Sequence, residues 1–583
     1  MYLPIEKQKE FIKWQIQEHE EAYLSYLSTP MLAHFKYKSA FWGKIWGVDE
    51  KRLSLIIRFK RSMAPRINYA MAGFVYGGIP NPEEPEKWDF TYEYFRRNYS
   101  KGMSEMTPIY YLDKSNKEWA TIGFKDIDAE FFEIIKNQLQ KGKNPSIFLA
   151  EKDPPIQYLL NLYEFIEKYP KDEVLNMNIE KSLDEWKPLN LKASENKVAI
   201  VNTALENADI LIIQGPPGTG KSHLIGEIAD HFLQEGKSIC ITTLTNKALM
   251  EVVEKPGLLK WVEKDCIFKT NLITEESKRH PKLKLAKNLV LSKTSVLLST
   301  YYKLSDWYKK DSSNLDALKS PIYDIVIIEE ASQSFLATIA CFKRLGKKVL
   351  IVGDPMQLPP IVLNENKAIN IHPNIMSFAR GLDTYVANSG VKSYRLVESF
   401  RLNPAAAKST GIFYNNDLFS ATRIQKILRS SKEYKYLIPE KGDSKIGFIP
   451  MISDGEKPTE AINVIAKFVY DLKLHNPGIE IAVLAPFRKT VQTLQEKLGM
   501  ELDDFSGITI ETIDRIQGLT VDFTIYLLAL SNPRFGLNVN RFNVATSRAK
   551  SGTLIITDKG YVEFMGIDKK VTEYLSKLDK FDI

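Results

Sequence analysis

The segment Gly215-Pro216-Pro217-Gly218-Thr219-Gly220-Lys221-Ser222 follows an apolar run over 210–213 and precedes a stretch with helical spacing over 224–233. A glycine-rich bend between a strand and a helix turns backbone N–H groups and the positive helix end toward one point, the geometry of a phosphate-binding loop. In such a loop Lys221 reaches the β- and γ-phosphate oxygens and Ser222 a Mg²⁺. The flanking strand and helix set this segment apart from a chance glycine-rich turn.

From Leu189 onward, apolar runs at 210–213, 238–241, 295–299, 325–328 and 349–352 alternate with helical stretches. A second series follows at 445–450, 481–485, 508–511, 523–528 and 553–556. Such alternation means parallel strands joined by right-handed crossovers, hence two successive three-layer α/β domains. In sheets of this kind ligands bind beyond the carboxyl ends of the strands. Upstream, helical spacing over 4–27 and 156–169 brackets strand-like runs at 53–59, 74–76, 109–112 and 121–124, a proline-rich loop over 80–85 and a helix over 129–140. This predicts a small β-rich domain carried on two helices.

Length and composition fit three or four domains: 583 residues exceed one ordinary core. No apolar run approaches the roughly 18 residues of a membrane span. The chain opens on Glu6, Lys7, Lys9 and Glu10 in place of an apolar signal core, so a cytoplasmic protein without membrane contact is expected. Cys240, Cys266 and Cys341 stand too far apart for a disulfide framework or zinc knuckle. The net charge of +7 permits a polyanionic partner without requiring one. Its distribution says more. Between 31 and 70, Lys36, Lys38, Lys44, Lys51, Arg52, Arg58, Lys60, Arg61 and Arg66 face only Asp49 and Glu50, with Phe35, Tyr37, Trp42, Trp46 and Phe59 interleaved. Cations with aromatics suit a nucleic-acid surface. A small barrel with core aromatics and solvated lysines fits the same pattern, and both readings stay open.

Glu329-Glu330 ends one apolar run; paired carboxylates there can divide the work of placing Mg²⁺ and deprotonating a water. Gln357, in Gly353-Asp354-Pro355-Met356-Gln357, can sense a γ-phosphate. Arg401 and Arg548, in the second α/β series, can offset transition-state charge from across a cleft.

Together QGPPGTGKS, TTLTNKA, ST, EEASQ, GDPMQLPP, ESFRLNP, VLAPF, ETIDRIQG and NVATSRAK, in order from Gln214 to Lys550, resemble the superfamily 1 helicases. The likeness is to the 1B branch, which contains the RNA helicase of nonsense-mediated decay and the immunoglobulin mu-binding helicase. It implies two tandem RecA-like P-loop domains over 187–385 and 386–583, with a helical insertion at about 251–293, preceded over 1–186 by a small β-barrel on stalk helices. ATP would lie between the RecA-like domains, with single-stranded DNA or RNA across their top. Residue by residue, the likeness implies that Gly215, Pro216, Pro217, Gly218, Thr219, Gly220, Lys221 and Ser222 hold phosphates and Mg²⁺. Glu329 would place the metal, Glu330 would be the base, Gln357 the sensor, and Arg401 and Arg548 the fingers. Phe400 would stack on adenine, Asn196 would stand near the adenine-reading position, and Gly518 would border the nucleotide. Thr243, Thr245, Asn246, Ser299 and Thr300 match strand-contacting motifs, and Thr512, Arg515 and Gln517 the coupling motif. Two departures stand out: Glu329 replaces the family's usual aspartate, and Thr520 replaces an acidic residue after Gln517-Gly518.

The expected function is a monomeric ATP-driven helicase or translocase moving 5′ to 3′. The alternative is an ATP-dependent switch that regulates a partner protein without unwinding. ATPase stimulation by nucleic acid separates the two.

Overall fold

Val326 and Ile328 point to one face of their strand, Ile325 and Ile327 to the other, and all four are buried in two different apolar clusters. A strand covered on both sides needs a continuous apolar run, which is why the central strands were readable from sequence. The computed structural model describes residues 2–37, 39–61, 64–65, 70–77, 88–112, 118–192, 195–290, 293–309, 321–422, 427–451, 457–502, 505–516, 518–529, 533–562 and 567–583. Lys38, Arg66 and the loop over 80–85 therefore lie outside the described residues.

The first sheet has nine parallel strands. In spatial order they are Lys284–Leu285, Ile267–Lys269, Val296–Thr300, Ile239–Thr243, Tyr323–Ile328, Gly346–Gly353, Ile210–Gln214, Ser393–Leu396 and Leu189–Leu191. The second has six: Ile508–Thr512, Ile481–Ala485, Phe523–Leu527, Thr553–Thr557, Ser444–Phe448 and Asp579–Asp582. The division expected after residue 385 is corrected. Ser393–Leu396 pairs with Ile210–Gln214, so the first sheet continues to Leu396, while Leu402 already belongs to the second core. The segment 251–293 is not simply helical either. After the helices Asn246–Val253 and Pro256–Val262 it contributes Ile267–Lys269 and Lys284–Leu285 to the sheet edge.

Six antiparallel strands close into a barrel ordered Phe41–Asp49, Ser54–Lys60, Trp119–Lys125, Ser100–Leu112, Met71–Tyr76 and Ser146–Ala150, the last pairing back to the first. Its core takes Phe59, Ile57 and Ile147, and the helix Ala129–Gln140 adds Phe131, Phe132 and Ile135. The two stalk helices, Ile5–Ser28 and Ile156–Lys168, run antiparallel, with Lys9 bound to Glu167 at 2.8 Å and Lys13 over the Tyr163 ring. They are not separate from the first parallel sheet. Phe11, Ile12, Leu162 and Phe165 share one apolar cluster with Val326, Phe335 and Phe378. Among the described residues, no helix is long and apolar enough to cross a membrane.

Phe11 is fully buried, with ring centroids 6.2 Å from Phe335 and 5.7 Å from Phe378. Phe11→Ala is expected to destabilise this half by about 3–5 kcal/mol, read as a lower urea midpoint in tryptophan fluorescence. A loss below about 1 kcal/mol would show that the stalk is not part of that core.

Candidate active site between the two parallel sheets

The strand Ile210–Gln214 ends at Gly215 and the helix Lys221–Gln234 starts at the far end of the loop. The side chain of Lys221 folds back over Gly215, where a Cβ would lie 2.1 Å from Lys221 Cγ, and its Nζ donates to Gly215 O at 2.7 Å. Thr219 Oγ1 donates to Pro216 O at 2.8 Å, bracing the turn. Gly218 adopts φ 72°, and a Cβ there would meet Arg401 Cβ at 2.4 Å. The loop thus fits only a backbone without side chains, with an ammonium and a helix N-terminus at its mouth. Burial pushes the Lys221 ammonium below its usual pKa, while the charges of Asp354 and Glu329 oppose that shift.

Glu329 and Glu330 follow the strand Tyr323–Ile328 and are both buried. Glu330 sits at φ 56°, a left-handed backbone that few non-glycine residues adopt and that clusters at functional sites. Ser222 Oγ donates to Glu329 Oε1 at 3.3 Å. Glu329 Oε2 and Glu330 Oε2 are buried with no hydrogen-bond partner. Burial, then the charge of Glu330, raises the pKa of Glu329; burial, then the charge of Glu251, raises that of Glu330. Two unsatisfied buried carboxylate oxygens beside a hydroxyl form a hard-oxygen set that fits Mg²⁺.

Groups from beyond the first sheet reach this loop. Ser399 Oγ donates to Pro217 O at 2.9 Å, and Phe400 N donates to Gly218 O at 2.8 Å. The Phe400 ring stands 3.6 Å from where a Cβ on Gly220 would be, and its outer side is exposed. Arg401 Nη1 donates to Ser547 O at 3.1 Å, and Arg548 Nη2 to Gln357 Oε1 at 3.2 Å. Burial lowers the pKa of both arginines, and the charge of Arg548 lowers that of Arg401 further. A buried and a half-buried cation that repel each other beside a phosphate loop form a receptor for a polyanion.

Asp354, within the Gly353–Gln357 segment, was not singled out from sequence, yet it orders the site. Its carboxylate accepts from Gln214 Nε2 at 3.1 Å, Met356 N at 3.2 Å, Gln357 Nε2 at 3.1 Å and the Tyr414 hydroxyl at 2.6 Å. Gln357 is therefore held at both ends of its amide: the nitrogen to an acceptor-only carboxylate, the oxygen to a donor-only arginine. Tyr414 and Asn540 were missed for want of a local motif, and Asn543, although it opens the NVATSRAK motif, was given no role of its own. Asn543 Nδ2 donates to the Tyr414 hydroxyl at 2.9 Å, and Asn540 Nδ2 to Pro355 O at 2.7 Å.

The remaining candidates divide. A Cβ on Gly518 would lie 3.5 Å from Glu330 Oε1, so this residue borders the same cleft of about 290 Å³. Asn196 is exposed and caps the helix Lys197–Asn207 through Ala199 N at 3.1 Å; it does not line the cleft. Sheet register sets Thr300 beside Thr243 at the carboxyl ends of adjacent strands. Thr243 and Ser299 are fully buried, with hydroxyls bonded to Thr245 O and Thr300 O, so they shape the loops. Thr245 and Thr300 cap the helices that follow, and Asn246 is half-buried on that edge. Thr512 is buried at its strand end and Arg515 is exposed, 3.9 Å from Glu511. Gln517 lies outside the described residues.

Two AAA-domain family models match residues 197–363 and 382–560, spanning the loop, both carboxylates and both arginines. The chain is 24% identical over 416 residues to a regulator of nonsense transcripts 1 homolog from Neurospora crassa, covering 62% of this chain and 37% of the relative. The chain belongs to the superfamily 1 helicases. This ATP-hydrolysing family, on the side related to the nonsense-mediated-decay helicase, also includes the DNA polymerase alpha-associated DNA helicase A of Schizosaccharomyces pombe. That protein is 22% identical over 442 residues, covering 64% of each chain. Replicase polyprotein 1ab of Alphamesonivirus 1 is 26% identical over 405 residues, 65% of this chain but 7% of the polyprotein. The chain thus spans less than two thirds of each of these relatives. Among solved structures, an Arterivirus nonstructural protein 10 (helicase) in complex with DNA matches with a TM-score of 0.34 at 17% identity, covering 64% of this chain and 65% of that one.

If Glu330 is the general base, Glu330→Gln is expected to bind ATP while turnover falls by orders of magnitude. Glu329→Asp is expected to keep or raise turnover, because it shortens the metal-facing carboxylate to the length usual in the family. Steady-state ATPase beside nucleotide-binding titrations checks both; equal loss in the two variants would reverse the roles.

Proposed function

We propose that this helicase couples ATP hydrolysis to movement along a single strand of DNA or RNA, 5′ to 3′, and to separation of duplexes. The observation that carries this reading is the convergence of Arg401 and Arg548 on the 215–222 loop, since neither arginine belongs to the sheet that holds it. Hydrolysis then requires the two sheets to come together, and repeated closing and opening is what a stepping motor needs.

In this reading Lys221 and the loop N–H groups bind the phosphates, and Ser222 with Glu329 holds Mg²⁺. The metal, when bound, neutralises charge on the β- and γ-phosphate oxygens. Glu330 accepts a proton from the water that attacks the γ-phosphorus, the bond to the β-phosphate oxygen breaks, and ADP and phosphate leave. Gln357 orients the water or reports the γ-phosphate, Arg401 and Arg548 offset charge as it spreads, and the exposed face of Phe400 stacks on adenine. The strand-end loops carrying Thr245, Asn246 and Thr300, with Arg515 of the second domain, contact the nucleic-acid backbone.

The barrel supports the same reading. Trp46 is exposed with the Arg58 guanidinium stacked at 3.8 Å, and Lys44 stands directly opposite Arg58 across paired strands. A stacked tryptophan beside basic side chains offers a base its platform. Trp42 and Phe59, in contrast, are core.

Arg401→Ala or Arg548→Ala is expected to lower turnover by ~10³ or more while ATP affinity changes far less. Lost affinity with unchanged turnover would remove the finger roles. Single-stranded nucleic acid is expected to stimulate the wild-type ATPase; its failure to do so would favour the partner-regulating switch. Arg58→Ala with Lys60→Ala is expected to flatten the dependence of log affinity on log salt by roughly two units of slope, one per phosphate contact. An unchanged slope would make this face merely solvated.

A further inference from the structure

Lys269 ends the strand next to the edge of the first sheet, and its side chain is 0% exposed. A buried ammonium must find acceptors for its N–H bonds. Its Nζ donates to both carboxylate oxygens of Glu276 at 2.9 and 3.1 Å, to Asn271 O at 2.7 Å and to Asn246 Oδ1 at 3.1 Å. Glu276 balances the charge. The bond to Asn246 does something else.

An ammonium is a donor only, so the amide of Asn246 must present its oxygen to Lys269 and turn its nitrogen away. Among the described residues, Asn246 Nδ2 donates to nothing. Asn246 opens the helix Asn246–Val253, next to Thr245, on the strand-end edge assigned above to nucleic acid. An outward N–H₂ there complements a phosphate oxygen, which only accepts. An outward amide oxygen would repel it.

Glu276 also faces the barrel side. It lies on the helix Thr274–Arg279, where Thr274 N and Oγ1 both donate to Ile127 O, at 2.9 and 3.0 Å. Ala129 N donates to Leu272 O at 3.3 Å, adding a bond in the opposite direction. Lys269 therefore stands between the barrel and the loop that carries Asn246.

We infer that Lys269 is a positioning residue: it turns the amide donor of Asn246 toward the phosphate backbone of a bound single strand, and through Glu276 it ties that donor to the barrel. The inference rests on the nucleic-acid reading above.

The test removes both buried charges together, so that neither is stranded. Lys269→Met with Glu276→Gln deletes the donor to Asn246. Lys269→Gln with Glu276→Gln keeps one, and Asn246→Asp keeps the oxygen toward Lys269 while replacing the outward donor by a carboxylate oxygen. Binding of a fluorescent single-stranded oligonucleotide, DNA and RNA separately, is measured with thermal melting of each variant. The Met variant and Asn246→Asp are expected to bind about tenfold more weakly or worse. The Lys269→Gln variant is expected to stay within about threefold of wild type, and Asn246→Asp to melt as wild type does. Wild-type binding by the Met variant, or equal loss in the Gln variant, overturns the inference. If the Met variant does not fold, wild-type binding by Asn246→Asp overturns it. If the unaltered protein binds neither strand, the nucleic-acid reading falls and takes the inference with it.

Discussion

The site depends on one buried carboxylate. Asp354 is 2% exposed and takes four donors, three from the first ATPase half and one, the Tyr414 hydroxyl, from the second. A buried ion that loses a donor costs several kcal/mol, so the Tyr414 contact weighs heavily in how the halves meet. From this centre the order spreads in both directions. Gln214 passes it to Arg395 at 2.7 Å, inside the first sheet, and Tyr414 passes it to Asn543, one helical turn before Ser547 and Arg548. Leu358, four residues beyond Asp354, is buried in the apolar cluster of the second half. Polar and apolar registry thus come from the same loop.

The charges around the cleft make sense only as a set. Arg548 is a buried cation, Lys221 and Arg401 are half-buried ones, Glu329 and Glu330 are buried carboxylates, and desolvation shifts every one of them toward its neutral form. A site so arranged is costly on its own and gains from a ligand carrying both signs, a polyphosphate with its divalent cation. The left-handed backbone of Glu330 adds strain at one of the two buried carboxylates.

What the chain revealed in advance follows from locality. The phosphate loop, the carboxylate pair and the arginine motifs are each contiguous, and strands such as Ile481–Ala485 are apolar throughout, so pattern alone located them. Ser393–Leu396 carries a buried arginine, and Asp579–Asp582 alternates charge with one phenylalanine, so neither reads as a strand until its neighbour is known. The edge strands in 251–293 are three and two residues long, too short for any period to register. Tyr414, Asn540 and Lys269 escaped notice, and Asn543 had no assigned role within its motif, because their partners lie far away in the chain or in a segment read as helical. Only the folded arrangement gives them meaning.

The stalk has a topological consequence. Its helices are antiparallel and rooted in the core of the first sheet, so the chain leaves for the barrel along one helix and returns along its neighbour. The barrel thus hangs on a two-helix handle, with one stalk helix before it in the chain and both parallel sheets after it. Descent with modification can exchange such a module without disturbing the engine, as long as the replacement offers a backbone carbonyl where Ile127 meets Thr274.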